Sequence, residues 1–154
     1  MTVTLSRMSE TIGRAMIPVC VPVQCQTNPP HRILVVDDDH SIRRLNTVVL
    51  NHSGYDVDTA DDGAAAWNAM NARGYHLLIT ENEMPKVSGI ELIRKICVAR
   101  IDVPVILASG ALRHDNFIRE PWLRPAATLL KPYTIDDLVR TVNKVLRAPS
   151  APIA

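Results

Sequence analysis

Four apolar runs in this chain end in four polar signals. Asp37-Asp38-Asp39 follow ILVV, Glu81 follows LLIT, Ser109-Gly110 follow VILA, and Lys131-Pro132 follow TLL. If the runs are parallel strands of one sheet, their carboxyl ends lie along one edge, and acids, a hydroxyl and an ammonium converge there. That edge is where function is to be sought.

From Arg32 onward, strand-like and helix-like patterns alternate. RILVV (32 to 36) is continuously apolar and β-branched, as a buried parallel strand is. Ile42, Leu45, Val48 and Val49 recur at helical spacing as far as Gly54, a C-terminal stop. YDVDTA alternates, as a strand nearer an edge does. Asp62-Gly63 opens an Ala-rich helix with Trp67 and Met70 inward, ending at Gly74. HLLIT is a third strand. Ser88-Gly89-Ile90-Glu91 is a capping box, followed by Ile90, Ile93, Ile96 and Cys97 on one face. VPVILA is a fourth strand. In HDNFIREPWLRP, Pro121 and Pro125 allow only a short or broken helix, under which Trp122 is expected to be buried. AATLL is a fifth strand. Thr134 to Arg147 forms a closing helix with Leu138, Val142, Val145 and Leu146 inward. Five βα units in series predict an α/β fold, a doubly wound parallel sheet with helices on both faces.

At 154 residues the chain has room for one domain of ordinary size and not for a second output module. Seventeen Lys and Arg against 16 Asp and Glu give a formal charge of +1, without the basic block that marks a nucleic-acid footprint. Cys20, Cys25 and Cys97 are an odd number without metal spacing to the histidines, which argues against a disulfide framework or a zinc site and for a reducing cytoplasm. Residues 1–30 carry four of the eleven prolines and no clear period, and composition favours a disordered tail over a docked extension. Their apolar stretch AMIPVCVPVQC is too short and proline-broken to span a membrane. Residues 149–154 are tail-like as well.

Elementary electrostatics constrains the shared edge. Asp37, Asp38 and Glu81 would stand within a few ångströms of one another if the first and third strands are neighbours, and such like charges need compensation. Mg²⁺, a hard cation that takes oxygen ligands and keeps waters in its remaining positions, supplies it. Lys131 adds positive charge, and Ser109 offers a hydroxyl to an anionic oxygen. Such a set suits phosphoryl transfer to a carboxylate.

With these motifs in chain order, residues 31–148 resemble the receiver domain of bacterial response regulators, a flavodoxin-like fold with strand order 2-1-3-4-5. The resemblance implies Mg²⁺ bound by Asp37, Asp38 and the backbone carbonyl of Glu83. Glu81, in the run Glu81-Asn82-Glu83-Met84-Pro85, stands at the position of the phosphate-accepting aspartate. Ser109 and Lys131 correspond to the hydroxyl and lysine that attend the phosphoryl group, and the Lys131-Pro132 bond is expected to be cis. Implied partners are a histidine kinase or phosphotransfer protein and a downstream protein target. The target would meet the surface of the fourth helix, fifth strand and last helix. A signalling module rather than an enzyme is implied, with room for a homodimer and no role for nucleic acid or membrane.

Two residues depart from the family pattern. Glu81 is one methylene longer than aspartate, and small misplacements of a reacting group cost heavily in rate, so phosphate acceptance should be impaired. The longer anion could bond Lys131 or Ser109 directly and imitate the phosphorylated state in part. Thr128 stands where the family usually has an aromatic switch residue paired with the hydroxyl of Ser109.

Simpler roles compete for several of these residues. Asp39 can serve only as a helix cap, Ser109-Gly110 as a turn, Lys131 as a surface lysine, and Cys97 as a small core residue. A phosphorylation-independent pseudo-receiver shares the fold. Asp37-Asp38-Asp39-His40-Ser41 also fits the D-x-D-x-[TVS] motif of haloacid-dehalogenase-like phosphohydrolases, with Asp37 as nucleophile. Those enzymes need a further acidic pair at a strand end, whereas Asp136-Asp137 falls at the start of the final helix, and there is no room for their cap insertion.

Overall fold

The hydrophobic faces of five short strands set the architecture. In the computed structural model, residues 30–110 and 120–147 are described. Strands β1 (Arg32–Val36), β2 (Asp56–Ala60), β3 (Leu77–Glu81), β4 (Val105–Ser109) and β5 (Ala127–Leu130) alternate with helices α1 (His40–His52), α2 (Gly63–Ala72), α3 (Gly89–Val98) and α4 (Ile135–Arg147). A single 3-10 turn, Pro121–Leu123, precedes β5. All four strand pairings are parallel, in the order β2-β1-β3-β4-β5. The expected flavodoxin-like sheet is therefore the one observed. The expectations for residues 1–29, most of the fourth-helix region and the C-terminal tail fall outside the described residues.

Alternation along β1 feeds two separate cores. Leu34 and Val36 point to one face, where Ala66 and Met70 of α2 and Ile90, Ile93 and Ile96 of α3 pack. Ile33 and Val35 point to the other, against Leu50 of α1 and Leu138 and Val142 of α4. Each strand residue in the centre thus supports one helical layer or the other, because side chains alternate across a sheet. With β1, β3 and β4 buried on both faces, their sequences read as unbroken apolar runs, and the more exposed β2 as an alternating one.

The helix starts are fixed by local chemistry. Asp39 caps α1 by accepting from the amides of Ser41 (2.9 Å) and Ile42 (3.2 Å), and Asp62 caps α2 by accepting from Ala65 (2.7 Å). The capping box of α3 is complete: Ser88 Oγ accepts from the Glu91 amide (3.2 Å), and Glu91 accepts from the Ser88 amide (3.4 Å).

One side-chain expectation fails, and the buried face of the first helix departs from its hydropathy period. Leu45 and Val48 are half exposed, while Asn46 and Leu50 form the buried face of α1. The helix is turned so that a polar residue enters the core, which hydropathy spacing cannot anticipate. Trp122 is 54% exposed instead of buried, because the 3-10 turn points Leu123, fully buried, into the core in its place. Cys97 is a free thiol packed against the core at partial burial, which pushes its pKa up.

Candidate functional site

The parallel register brings the carboxyl ends of β1, β3, β4 and β5 side by side. Val36 pairs with Thr80, Glu81 with Ala108, and Ser109 with Leu130. One residue beyond these positions the chain leaves the sheet, so the side chains of Asp37 and Lys131 and the last residue of β3 face a common cleft. Asp37, Asp38, Glu81, Glu83, Gly110 and Lys131 line it, around a volume of about 420 Å³.

Lys131 occupies the centre. Its ammonium lies 3.0 Å from Asp37 Oδ2 and forms a second ion pair with Glu81 Oε2. The Lys131 amide donates to the Ser109 carbonyl (2.9 Å), which extends the β4–β5 ladder by one bond and fixes the root of the side chain. The Lys131-Pro132 bond is cis. Burial alone would lower the pKa of this ammonium, but hydrogen bonds to Glu81 and Asp37 outweigh it and push the value up to about 12.

Both oxygens of Glu81 are engaged. Oε2 meets Lys131, while Oε1 accepts from the amides of Asn82 (2.8 Å) and Glu83 (3.1 Å). The extra methylene lets the carboxylate fold back on its own loop and still reach the lysine. Asp37, 3% exposed, accepts from the Asp39 amide (2.8 Å) on Oδ1. Burial raises its pKa against the opposing pull of that amide and of Lys131.

Close backbone approach holds the β3 loop. A Cβ at Gly89 would collide with the Glu81 carbonyl and stand 2.9 Å from Asn82 Cα, so only glycine lets α3 start this near the site. The Asn82 side chain in turn accepts from the Ile90 amide (3.2 Å). Lys86, at φ 68°, takes the left-handed turn in the same loop and its ammonium meets Asp62 at 3.2 Å.

Asp37, Glu81 and Lys131 are thus in direct contact, and Asp38 and Glu83 border the same cleft. Ser109 is buried at the end of β4. Thr128 lies on the exposed side of β5, in register with Leu107. Two participants escaped sequence reasoning. Arg43 donates to the Asp37 carbonyl at 2.6 Å, and buried Asn46 donates to the Tyr133 hydroxyl at 2.8 Å. The arginine one turn after the Asp39 cap, and an asparagine amid the apolar residues of α1, were the available signals.

The family model of the response regulator receiver domain matches residues 33–143. The chain belongs to the response regulator receiver family. It is 34% identical over 121 residues to the response regulator receiver protein CpdR of Brucella abortus, covering 76% of this chain and 98% of that relative. Among solved structures, the Francisella response regulator 1452 receiver domain superposes with a TM-score of 0.70 at 29% identity, over 76% of this chain and 97% of that one. The response regulator TrrA of Thermotoga maritima, solved in complex with Mg²⁺-BeF, gives 0.65 at 32% identity over 75% and 98%. The receiver fold and its place in two-component signalling follow from these matches.

The donor chemistry of the cleft suits Mg²⁺. Asp37, Asp38 and Glu83 border the cleft with hard oxygens, and among the described residues no set of three or more His, Cys, Asp or Glu side chains forms a metal cluster. An ion held by the Asp37 and Asp38 carboxylates would keep water in most of its remaining positions, the partial protein ligation that Mg²⁺ accepts. When bound, it would supply positive charge to anionic oxygens in the cleft. Among the described residues no helix is long and apolar enough to cross a membrane.

Proposed function

We propose that this chain acts as a single-domain receiver in a histidine-to-aspartate phosphorelay, through protein contact, with phosphate acceptance impaired by Glu81. The observation that carries the impairment is the double engagement of Glu81: two backbone amides hold one oxygen and Lys131 holds the other. An oxygen that attacks phosphorus must be free to approach it in line, and here both are tied down at the outset.

The same contacts favour partial mimicry of the phosphorylated state. Lys131 meets an anion that extends from β3, as it would meet a phosphoryl oxygen on a shorter aspartate. Partners of this kind are a histidine kinase or phosphotransfer protein on one side and a protein target on the other. Asp37, Asp38 and the Glu83 carbonyl are the assigned Mg²⁺ ligands, Ser109 the hydroxyl beside the acceptor, and Thr128 the non-aromatic occupant of the switch position.

Mass measurement after incubation with acetyl phosphate and Mg²⁺ tests this. The wild-type mass should stay unchanged, and Glu81→Asp should gain one phosphoryl group. Equal labelling of both proteins would end the claim of impairment. A second function, phosphohydrolysis with Asp37 as nucleophile, loses support because Asp37 is paired with Lys131 and the fold is that of receivers. Turnover of an aryl phosphate that Asp37→Asn abolishes would reinstate it.

A further inference from the structure

Two chain segments meet at the site, and they are stitched together twice. The first runs from Asp37 into α1, the second from Lys131 through Pro132 and Tyr133 towards α4. Their first stitch is the ion pair of Lys131 with Asp37 at 3.0 Å. The second lies two residues further along one segment and nine along the other, where Asn46 Nδ2 donates to Tyr133 Oη at 2.8 Å. Asn46 is 3% exposed, on a helix face otherwise lined by apolar residues packed on the sheet.

An amide in such a place is costly unless it is bonded, and a leucine would pack there at no such cost. Its partner is equally placed for a purpose. Tyr133 is partly buried against the same core, and the charges of Lys131, Asp37 and Glu81 all reach its hydroxyl. We propose that Asn46 and Tyr133 are a positioning pair, whose buried hydrogen bond holds the Lys131-Pro132-Tyr133 turn against α1 and so sets where the Lys131 ammonium stands between Asp37 and Glu81. This rests on the site assignment above and adds two residues that touch neither the acceptor position nor the metal ligands.

Lys131 has a long and flexible stem, so its head is located only as well as its root. The root is held from the sheet side by the Ser109 carbonyl and from the helix side by Tyr133. Removing the helix-side bond leaves the root of Lys131 held on the sheet side only. The ammonium would then sample positions away from the two carboxylates.

The test reads the ammonium itself by nitrogen-15 NMR of the lysine side chain. In Tyr133→Phe, which keeps the ring and loses only the hydroxyl, proton exchange at Lys131 Nζ should be roughly fivefold faster, the effect of one ordinary hydrogen bond. Asn46→Leu, which restores apolar packing without a donor, should recover thermal stability and still show the fast exchange. Wild-type exchange in Tyr133→Phe would overturn the proposal. So would a leucine variant in which exchange slows together with the recovery of stability, since packing alone would then suffice. Phosphate labelling plays no part in this readout, so labelling of the wild type would sink the impaired-acceptor assignment and leave the positioning pair standing.

Discussion

Lys131 and Glu81 are joined side chain to side chain across the ends of β5 and β3, and the same ammonium holds Asp37 at 3.0 Å. Asp37 and Glu81 are 4% and 5% exposed at the side chain, and Lys131 is 21% exposed. One cation thus serves two nearly buried carboxylates and leaves one negative charge in excess, so its removal has a measurable cost.

Removing the cation should be expensive. Lys131→Met would leave two acids facing each other without a counter-charge, and the loss should be about 2–4 kcal/mol, somewhat below that for a fully buried pair because the lysine keeps some contact with water. Urea denaturation of the two proteins at neutral pH measures the difference. A change near zero would mean that the ion pairs do not form in solution.

The pH dependence of that difference has a definite sign. Lys131 has an ordinary value of 10.5, raised in the folded chain to about 12. A raised ammonium contributes stability that is fully present below 10.5 and is lost as pH rises through about 12. The gap between wild type and Lys131→Met should therefore be constant through neutral pH and shrink in strong alkali. Asp62 behaves in the opposite sense. The Ala65 amide it caps, and secondarily Lys86, lower its pKa, so its contribution is present above 3.8 and fades as the solution is acidified below that value. Asp62→Ala should lower the melting temperature at neutral pH and do little at about pH 2.

Mg²⁺ should raise the melting temperature of the wild type in a titratable way, because ligands of the folded state stabilise it by mass action. Asp38→Asn should weaken the apparent affinity by about tenfold while leaving the apo melting temperature nearly unchanged, since Asp38 is exposed. Thermal melts across a magnesium series check both. A flat wild-type response would remove the metal from the proposed function.

Gly89→Ala should destabilise by about 1–3 kcal/mol, the usual cost of forcing atoms into a packed site. The added carbon would meet the Glu81 carbonyl and Asn82, so relief requires the acceptor loop to move. The amide resonances of Asn82 and Glu83 should shift with it in a proton–nitrogen spectrum. Unchanged resonances would show that α3 yields instead.

Much of this was legible because strand burial writes itself plainly. β1, residues 32–36, falls on the apolar run Ile33 to Val36, where both faces are covered. β3 and β4 each extend through the polar residue at the end of the run, Glu81 and Ser109, because backbone pairing continues where hydropathy stops. Spacing could bring Asp37, Glu81 and Lys131 to one edge through sheet topology. It could not assign the ammonium to both acids, which depends on side-chain reach. Helix faces were harder: Leu45 and Val48 match the period of α1 and yet face outward, because Asn46 is drawn inward by a partner 87 residues away. Trp122 was misjudged because size argues for burial, while the turn geometry gives the interior to Leu123.

The short edge strand β5 sends Leu129 inward and leaves Thr128 and Leu130 on the outside. The outward pair can therefore be replaced with little effect on folding, since neither fills the interior. Substitutions at these two positions should alter the outer surface of the sheet edge while the buried scaffold behind it stays in place.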